Sequence, residues 1–112
     1  MTQSTEQPLA GRVALVTGGA KRVGAAICRR LHAQGASVML HHHVSVAEAR
    51  ALQQSLNALR ADSVALIQAD LLNSASLPDM VKTTVEQFGG FDTAISTAQN
   101  YNFFGFRHSL LL

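Results

Sequence analysis

The 112-residue sequence has one cysteine, one tyrosine, two lysines, no tryptophan and no apolar run of membrane-spanning length. A lone cysteine, Cys28, excludes an internal disulfide and points to a reducing compartment; inside a helical stretch it reads as a small packing residue. The first eleven residues lack the charged and long apolar segments of a secretory signal, so a cytoplasmic setting is expected. Charged residues make up 14% of the chain, with a net charge of +2, and the basic ones are scattered without interleaved aromatics. A nucleic-acid surface is therefore not indicated. What is present is 47% hydrophobic residues in a chain of one-domain length, enough to build a core.

Those apolar residues fall into alternating short runs and helical patterns. Arg12 to Thr17 reads as a buried strand, after which Val23, Ile27 and Leu31 recur every four residues, as one helical face requires. Gly35 offers a C-cap, and Ser37 to His41 reads as a second strand buried on both faces. A second helix is predicted from Ser45 to Leu59, with Val46, Ala49, Leu52, Leu56 and Leu59 inward and Ser45 with Glu48 forming a capping box. Val64 to Gln68 forms a third strand. Ser76 to Phe88 forms a third helix, with Pro78 in its first turn and Leu77, Met80, Val81, Thr84, Val85 and Phe88 inward. Gly89-Gly90 ends that helix and Phe91 to Ser96 gives a fourth strand.

This order, with short right-handed crossovers, predicts an α/β fold: a partial Rossmann-type doubly wound parallel sheet of strand order 3-2-1-4 with three helices. Residues 1–10 are expected to be a disordered N-terminal segment, 11–98 the dinucleotide-binding domain and 99–112 an irregular apolar tail. Four of the five phenylalanines lie between Phe91 and Phe106.

The segment Thr17-Gly18-Gly19-Ala20-Lys21-Arg22-Val23-Gly24 joins the first strand to the first helix. Glycines there allow positive φ and close approach of the backbone to a pyrophosphate, which the free amides of a helix N-terminus stabilise. The expected ligand is a dinucleotide. An NAD-selective site places Asp or Glu at the end of the second strand to bind the ribose 2′-hydroxyl. Here that place holds His41-His42-His43, with no carboxylate before Glu48, while Lys21 and Arg22 can offset the charge of a 2′-phosphate. NADP(H) is the favoured cofactor. Adjacent histidines of a strand point to opposite faces, so the triplet does not converge on one metal ion without other ligands.

The turn TGGAKRVGAAI, the segment LHHHVSVAEA and the segment QADL together resemble the short-chain dehydrogenase/reductase family, most closely its pteridine reductase branch, over roughly Gly11 to Ala98. The family commonly has glycine where Arg22 stands, whereas pteridine reductases resemble this chain in carrying Lys-Arg there. The resemblance implies NADPH-dependent reduction of pterin or folate-like rings. It implies a cofactor site made of Gly18, Lys21, Arg22, Val23, Gly24, His43, Ser45, Asp70, Leu71 and Ala98. In the family, the carboxylate at the position of Asp70 meets the adenine amino group and the next amide, here that of Leu71, meets the ring. Read from the residues alone, Asp70 is equally a turn or capping carboxylate. Two departures stand out. Val44 replaces the arginine of a His-Arg-Ser segment, and Ser96-Thr97-Ala98-Gln99 keeps only the alanine of an Asn-Asn-Ala-Ser segment.

The family's hydride chemistry needs a tyrosine and a lysine four residues later. The only tyrosine here is Tyr101, four residues before Gly105, and both lysines, Lys21 and Lys82, precede it. Neither Cys28 nor any serine sits in a glycine-framed elbow or a paired His-Asp arrangement. The expectation is a cofactor-binding portion shortened before the catalytic residues, with no catalytic residue of its own. The alternative is a non-enzymatic interaction module, in which two copies pair through an exposed sheet edge and the apolar tail.

Overall fold

The computed structural model describes residues 7–18, 22–73 and 75–96. Its elements are β1 (Val13–Thr17), α1 (Arg22–Ala33), β2 (Ser37–His42), α2 (Val46–Leu59), β3 (Val64–Gln68), α3 (Ser76–Phe88) and β4 (Thr93–Ser96). The four strands form one parallel sheet in the order β3-β2-β1-β4. This is the predicted topology. The first strand starts one residue later than expected and the fourth two residues later, while β2 runs one residue further, through His42.

Parallel strands are buried on both faces, so their side chains must alternate between two apolar layers. Val16, Val38, Leu40 and Val64 turn to one face and pack with Cys28 of α1 and Ala49, Leu52 and Leu56 of α2. Leu15, Met39 and Ala94 turn to the other face against Met80 of α3, with Ile67, Leu71, Phe88 and Phe91 partly buried around them. Two helices thus cover one face and one helix the other.

The buried stripe of α1 is offset by one residue from the predicted one. Gly24, Cys28 and His32 face inward, Ile27 and Leu31 flank them half-buried, and Val23 is 65% exposed. Neighbouring positions differ by about 100° around a helix, and small residues on the contact line let the helix approach the strands closely. In α2, Ala49, Leu52 and Leu56 are buried as predicted, but Val46 and Leu59 are exposed. Ser45 makes no side-chain cap hydrogen bond, so the expected capping box is not formed. In α3, Met80 and Thr84 are buried and Val85 faces outward, and Gly89 ends the helix in the left-handed conformation predicted for a C-cap.

A buried polar network locks the far ends of α1 and α2 to the start of β3. Asn57 Oδ1 accepts the amides of Ser63 and Val64 at 3.0 and 2.9 Å, and Asn57 Nδ2 donates to the Val64 carbonyl at 3.0 Å. The Ser63 hydroxyl donates to the Arg60 carbonyl, which can only accept. His32 Nε2, 2.7 Å from Ser63 Oγ, must then be the protonated nitrogen that donates to it. The Arg60 guanidinium donates to the carbonyls of His32 and Ala36. At the opposite edge, Asp92 pairs with Arg12 at 3.1 Å and accepts the Val13 amide at 2.8 Å, which aligns the starts of β1 and β4.

Residues 7–11 form a turn tied to the α1–β2 corner by the Leu9 amide donating to the Gln34 carbonyl at 2.8 Å. The end of the segment expected to be disordered, Gln7 to Ala10, therefore has a defined place. The expected tail, 99–112, lies outside the described residues. Gly35 sits in this corner at φ +106°, and a Cβ there would meet the Gln7 Cβ at 2.8 Å and the Ala10 nitrogen at 2.9 Å. Gly35→Ala combines backbone strain with a clash, so chemical denaturation should show a loss of about 2 kcal/mol or more. An unchanged urea midpoint would contradict this packing of the corner.

Candidate functional site

In an open parallel sheet, ligands bind beyond the carboxyl ends of the strands, where crossovers leave to opposite faces. The ends of β1, β2 and β3 converge here. Gly18 follows β1 at φ +65°, a conformation that a side chain disfavours. Its amide donates to His41 Nδ1 at 3.0 Å, and His41 Nε2–H donates to the Ala69 carbonyl at 2.8 Å. One neutral imidazole therefore joins the glycine turn to the end of β3, across the strand that lies between them. Burial disfavours its protonated form most strongly; the Ala69 bond opposes that effect, and the neighbouring His42 and His43 reinforce it.

The predicted site residues are only partly brought together. His43, Asp70 and Leu71 line one cavity of about 270 Å³ with His41 and Leu72. Gly18 joins them through His41. Ser45 is half-buried just ahead of α2, Gly24 is buried in the first turn of α1, and Val23 is exposed beside it. Lys21 and Ala98 lie outside the described residues. A larger cavity of about 400 Å³ lies at the other end of the sheet, lined by Leu9, Arg12, Ala36 and Asp92 among others. It is remote from the glycine turn and is not the candidate site.

Asp70 serves the turn on which it sits. Its Oδ1 accepts the Leu72 amide at 3.0 Å, and its carbonyl accepts the Asn73 amide and the Ser76 hydroxyl at 3.0 and 2.8 Å. This local bracing holds the carboxylate at the rim of the cavity. Leu72, 86% exposed, adds an apolar rim that suits a planar ring. Arg22, the first residue of α1, has φ +49°, in the left-handed region. The turn thus holds Arg22 in a conformation that costs a side-chain-bearing residue about 1–2 kcal/mol and that glycine adopts without that cost.

Sequence reasoning missed the structural roles of His41 and His42. His41 is 3% exposed and His42 7% exposed, and His42 Nδ1 has no hydrogen-bond partner. The available signal was their position: a polar residue closing an otherwise apolar strand between two neighbouring strand ends has backbone groups on both sides to bind. Cys28 is fully buried, and burial pushes its thiol up to about 12, with Arg29 opposing, so it stays protonated and unreactive at neutral pH. Among the described residues no group of three His, Cys, Asp or Glu could hold a metal ion, and no helix is long and apolar enough to cross a membrane.

Comparison with known proteins matches residues 12–107 to the family model described as short chain dehydrogenase. The chain is similar to pteridine reductase 1 of Leishmania tarentolae, 50% identical over 76 residues, which is 68% of this chain and 25% of that protein. It is also similar to a hydroxynaphthalene reductase of Aspergillus fumigatus, 36% identical over 84% of this chain and 34% of the relative. An uncharacterized oxidoreductase of Methylorubrum extorquens is 35% identical over 85% of this chain and 38% of that protein. The matched stretches thus span only about a quarter to two fifths of these relatives.

The histidines make acid stability a direct test. Burial lowers the proton affinity of His32, His41 and His42, with Arg60 assisting at His32 and Arg50 at His42. Each folded pKa lies below the ordinary 6.5, so as pH falls through that value the unfolded chain takes up protons first. Stability is full above about pH 7 and should decline from there toward pH 5. Urea midpoints at pH 7.5 and 5.5 measure this, and equal midpoints would show that these imidazoles charge as easily in the fold as in the open chain.

Proposed function

The chain belongs to the short-chain dehydrogenase family, and we propose that it forms the cofactor-binding part of an NADPH-dependent reductase of pteridine reductase type. The observation that carries this reading is the cavity at the ends of β2 and β3. It stands next to the glycine turn, is lined by His43, Asp70 and Leu71, and has no carboxylate at the end of β2. The residues fit an adenosine: an apolar rim at Leu71 and Leu72, a braced carboxylate at Asp70, and the imidazoles of His41 and His43 along the wall.

In this reading Lys21 and the start of α1 at Gly24 receive the pyrophosphate, and Gly18, its amide held by His41, lets the chain approach it closely. Arg22, beside Val23, joins His43 and Ser45 in neutralising the 2′-phosphate. Asp70 and the Leu71 amide take the adenine, and Ala98 lies toward the nicotinamide. NADP(H), when bound, supplies the hydride. The residues of this chain bind and orient it, and none of them is assigned a proton-transfer role, because no tyrosine here has a lysine four positions later. The reading places the protein in the cytoplasm and takes a pterin-like ring as the substrate of the complete enzyme, by analogy with the relative's name.

Titration of the purified chain with NADPH and NADH, followed by nicotinamide fluorescence, should show saturable binding with NADPH the tighter ligand. No saturation at millimolar NADPH would remove the proposal. Arg22→Gly separates strain from binding. It should raise stability by about 1 kcal/mol by relieving the positive φ. It should also weaken NADPH about tenfold, through loss of a charge-assisted contact, with little change for NADH. Equal weakening of both cofactors would show that Arg22 does not address the 2′-phosphate.

A further inference from the structure

His41 has both ring nitrogens committed, each to a different strand end. Nε2 lies 2.8 Å from the Ala69 carbonyl, which can only accept, so the ring proton sits on Nε2. Nδ1 is then a bare acceptor, and the Gly18 amide donates to it at 3.0 Å. The ring is 3% exposed and its orientation is fixed by the Ala69 bond. Gly18 sits at φ +65°, one of many conformations open to a glycine, and the bond to a fixed ring favours that one. A proton added at Nδ1 would face the Gly18 N–H, donor against donor, and remove the bond. The titratable groups nearest the ring are His42 and His43 beside it and Asp70 in the shared cavity. The flanking strands β1 and β3 carry none. On α3, which covers this face of the sheet, Asp79, Lys82 and Glu86 are all exposed, as is Arg22 at the start of α1.

We propose that His41 is a positioning residue for the dinucleotide: unprotonated Nδ1 holds Gly18 where the chain admits the pyrophosphate, and a proton there releases the turn and weakens binding. It rests on the cofactor reading above and adds a pH dependence set by a side chain that acts through Gly18. An imidazolium also attracts phosphate. Here, however, Nε2–H stays on the Ala69 carbonyl, so the new proton is aimed at the Gly18 amide and reaches no phosphate oxygen without displacing the turn. Burial lowers the proton affinity of the ring and the Ala69 bond partly offsets this, so the change falls below pH 6.5.

Two substitutions separate the two bonds. In His41→Asn the amide oxygen stands where Nδ1 stood, accepts from Gly18 and does not titrate; in His41→Gln the longer amide keeps the Ala69 bond and leaves Gly18 without that acceptor. Calorimetric titration of the full 112-residue chain with acid-stable NADP+ compares them, with circular dichroism confirming the fold at each pH. At pH 7.5, His41→Asn should bind within about twofold of wild type and His41→Gln about three- to tenfold more weakly. From pH 7.5 to 5.5 the wild-type chain should weaken about three- to tenfold beyond the change in His41→Asn, which reports the titration of the 2′-phosphate itself. Equal pH profiles in these two chains, or a wild-type affinity that rises on acidification relative to His41→Asn, overturn the proposal and leave the cofactor reading standing. Binding by His41→Gln as tight as by His41→Asn at pH 7.5 also overturns it, and decides the matter if the chain unfolds at pH 5.5. If His41→Gln does not fold, the pH profile of His41→Asn decides it. Failure of the wild-type chain to bind millimolar NADP+ removes the cofactor reading and this proposal together.

Discussion

Every part of this fold depends on β1, whose five residues are all buried and which pairs with β2 on one side and β4 on the other. A central parallel strand has no solvent face, so each of its side chains needs a covering layer. Leu15 and Val16, both 0% exposed, point into different layers, and this single alternation assigns α1 and α2 to one side and α3 to the other. The same strand then delivers Gly18 to the edge where β2 and β3 also end. The site exists because the core forces three strand ends into register.

At that edge the histidines do work that a glycine turn cannot do alone. The turn needs free amides directed at a ligand, yet it also needs to be held. His41 resolves this by taking the Gly18 amide on one nitrogen and giving its other proton to the Ala69 carbonyl. The turn, the end of β2 and the cavity rim formed by Asp70 and Leu71 thereby share one anchor. His42, the next residue, faces the other layer and keeps a nitrogen unpaired. Two adjacent residues of identical chemistry are separated by the strand period alone, one bracing the strand ends and one buried toward the helix layer.

The element order, the sheet topology and the glycine turn were legible because each rests on local periodicity or local conformational need. Strand order followed from right-handed crossovers between short parallel strands. The face of α1 was displaced by one residue because hydrophobicity points to Val23, Ile27 and Leu31, whereas close packing favours the smaller Gly24 and Cys28. Ser45 satisfied a sequence signature for capping without forming the bond. Arg22 was legible as a charge but not as a residue at φ +49°. The network of His32, Asn57, Arg60 and Ser63 was invisible, since His32 and Arg60 reach groups 24 to 31 residues away and the short-range bonds of Asn57 and Ser63 follow no periodic signature.

By itself, the sequence determined the α/β alternation, the family and the kind of ligand suited to its glycine turn. These are encoded in spacing and in residues acting within one or two turns of chain. Tertiary structure alone decided which of three consecutive histidines braces the glycine turn, which is buried toward the helices and which stands exposed at the cavity. Those roles depend on which neighbouring strand end lies within hydrogen-bond reach, a distance that exists only after the sheet has closed.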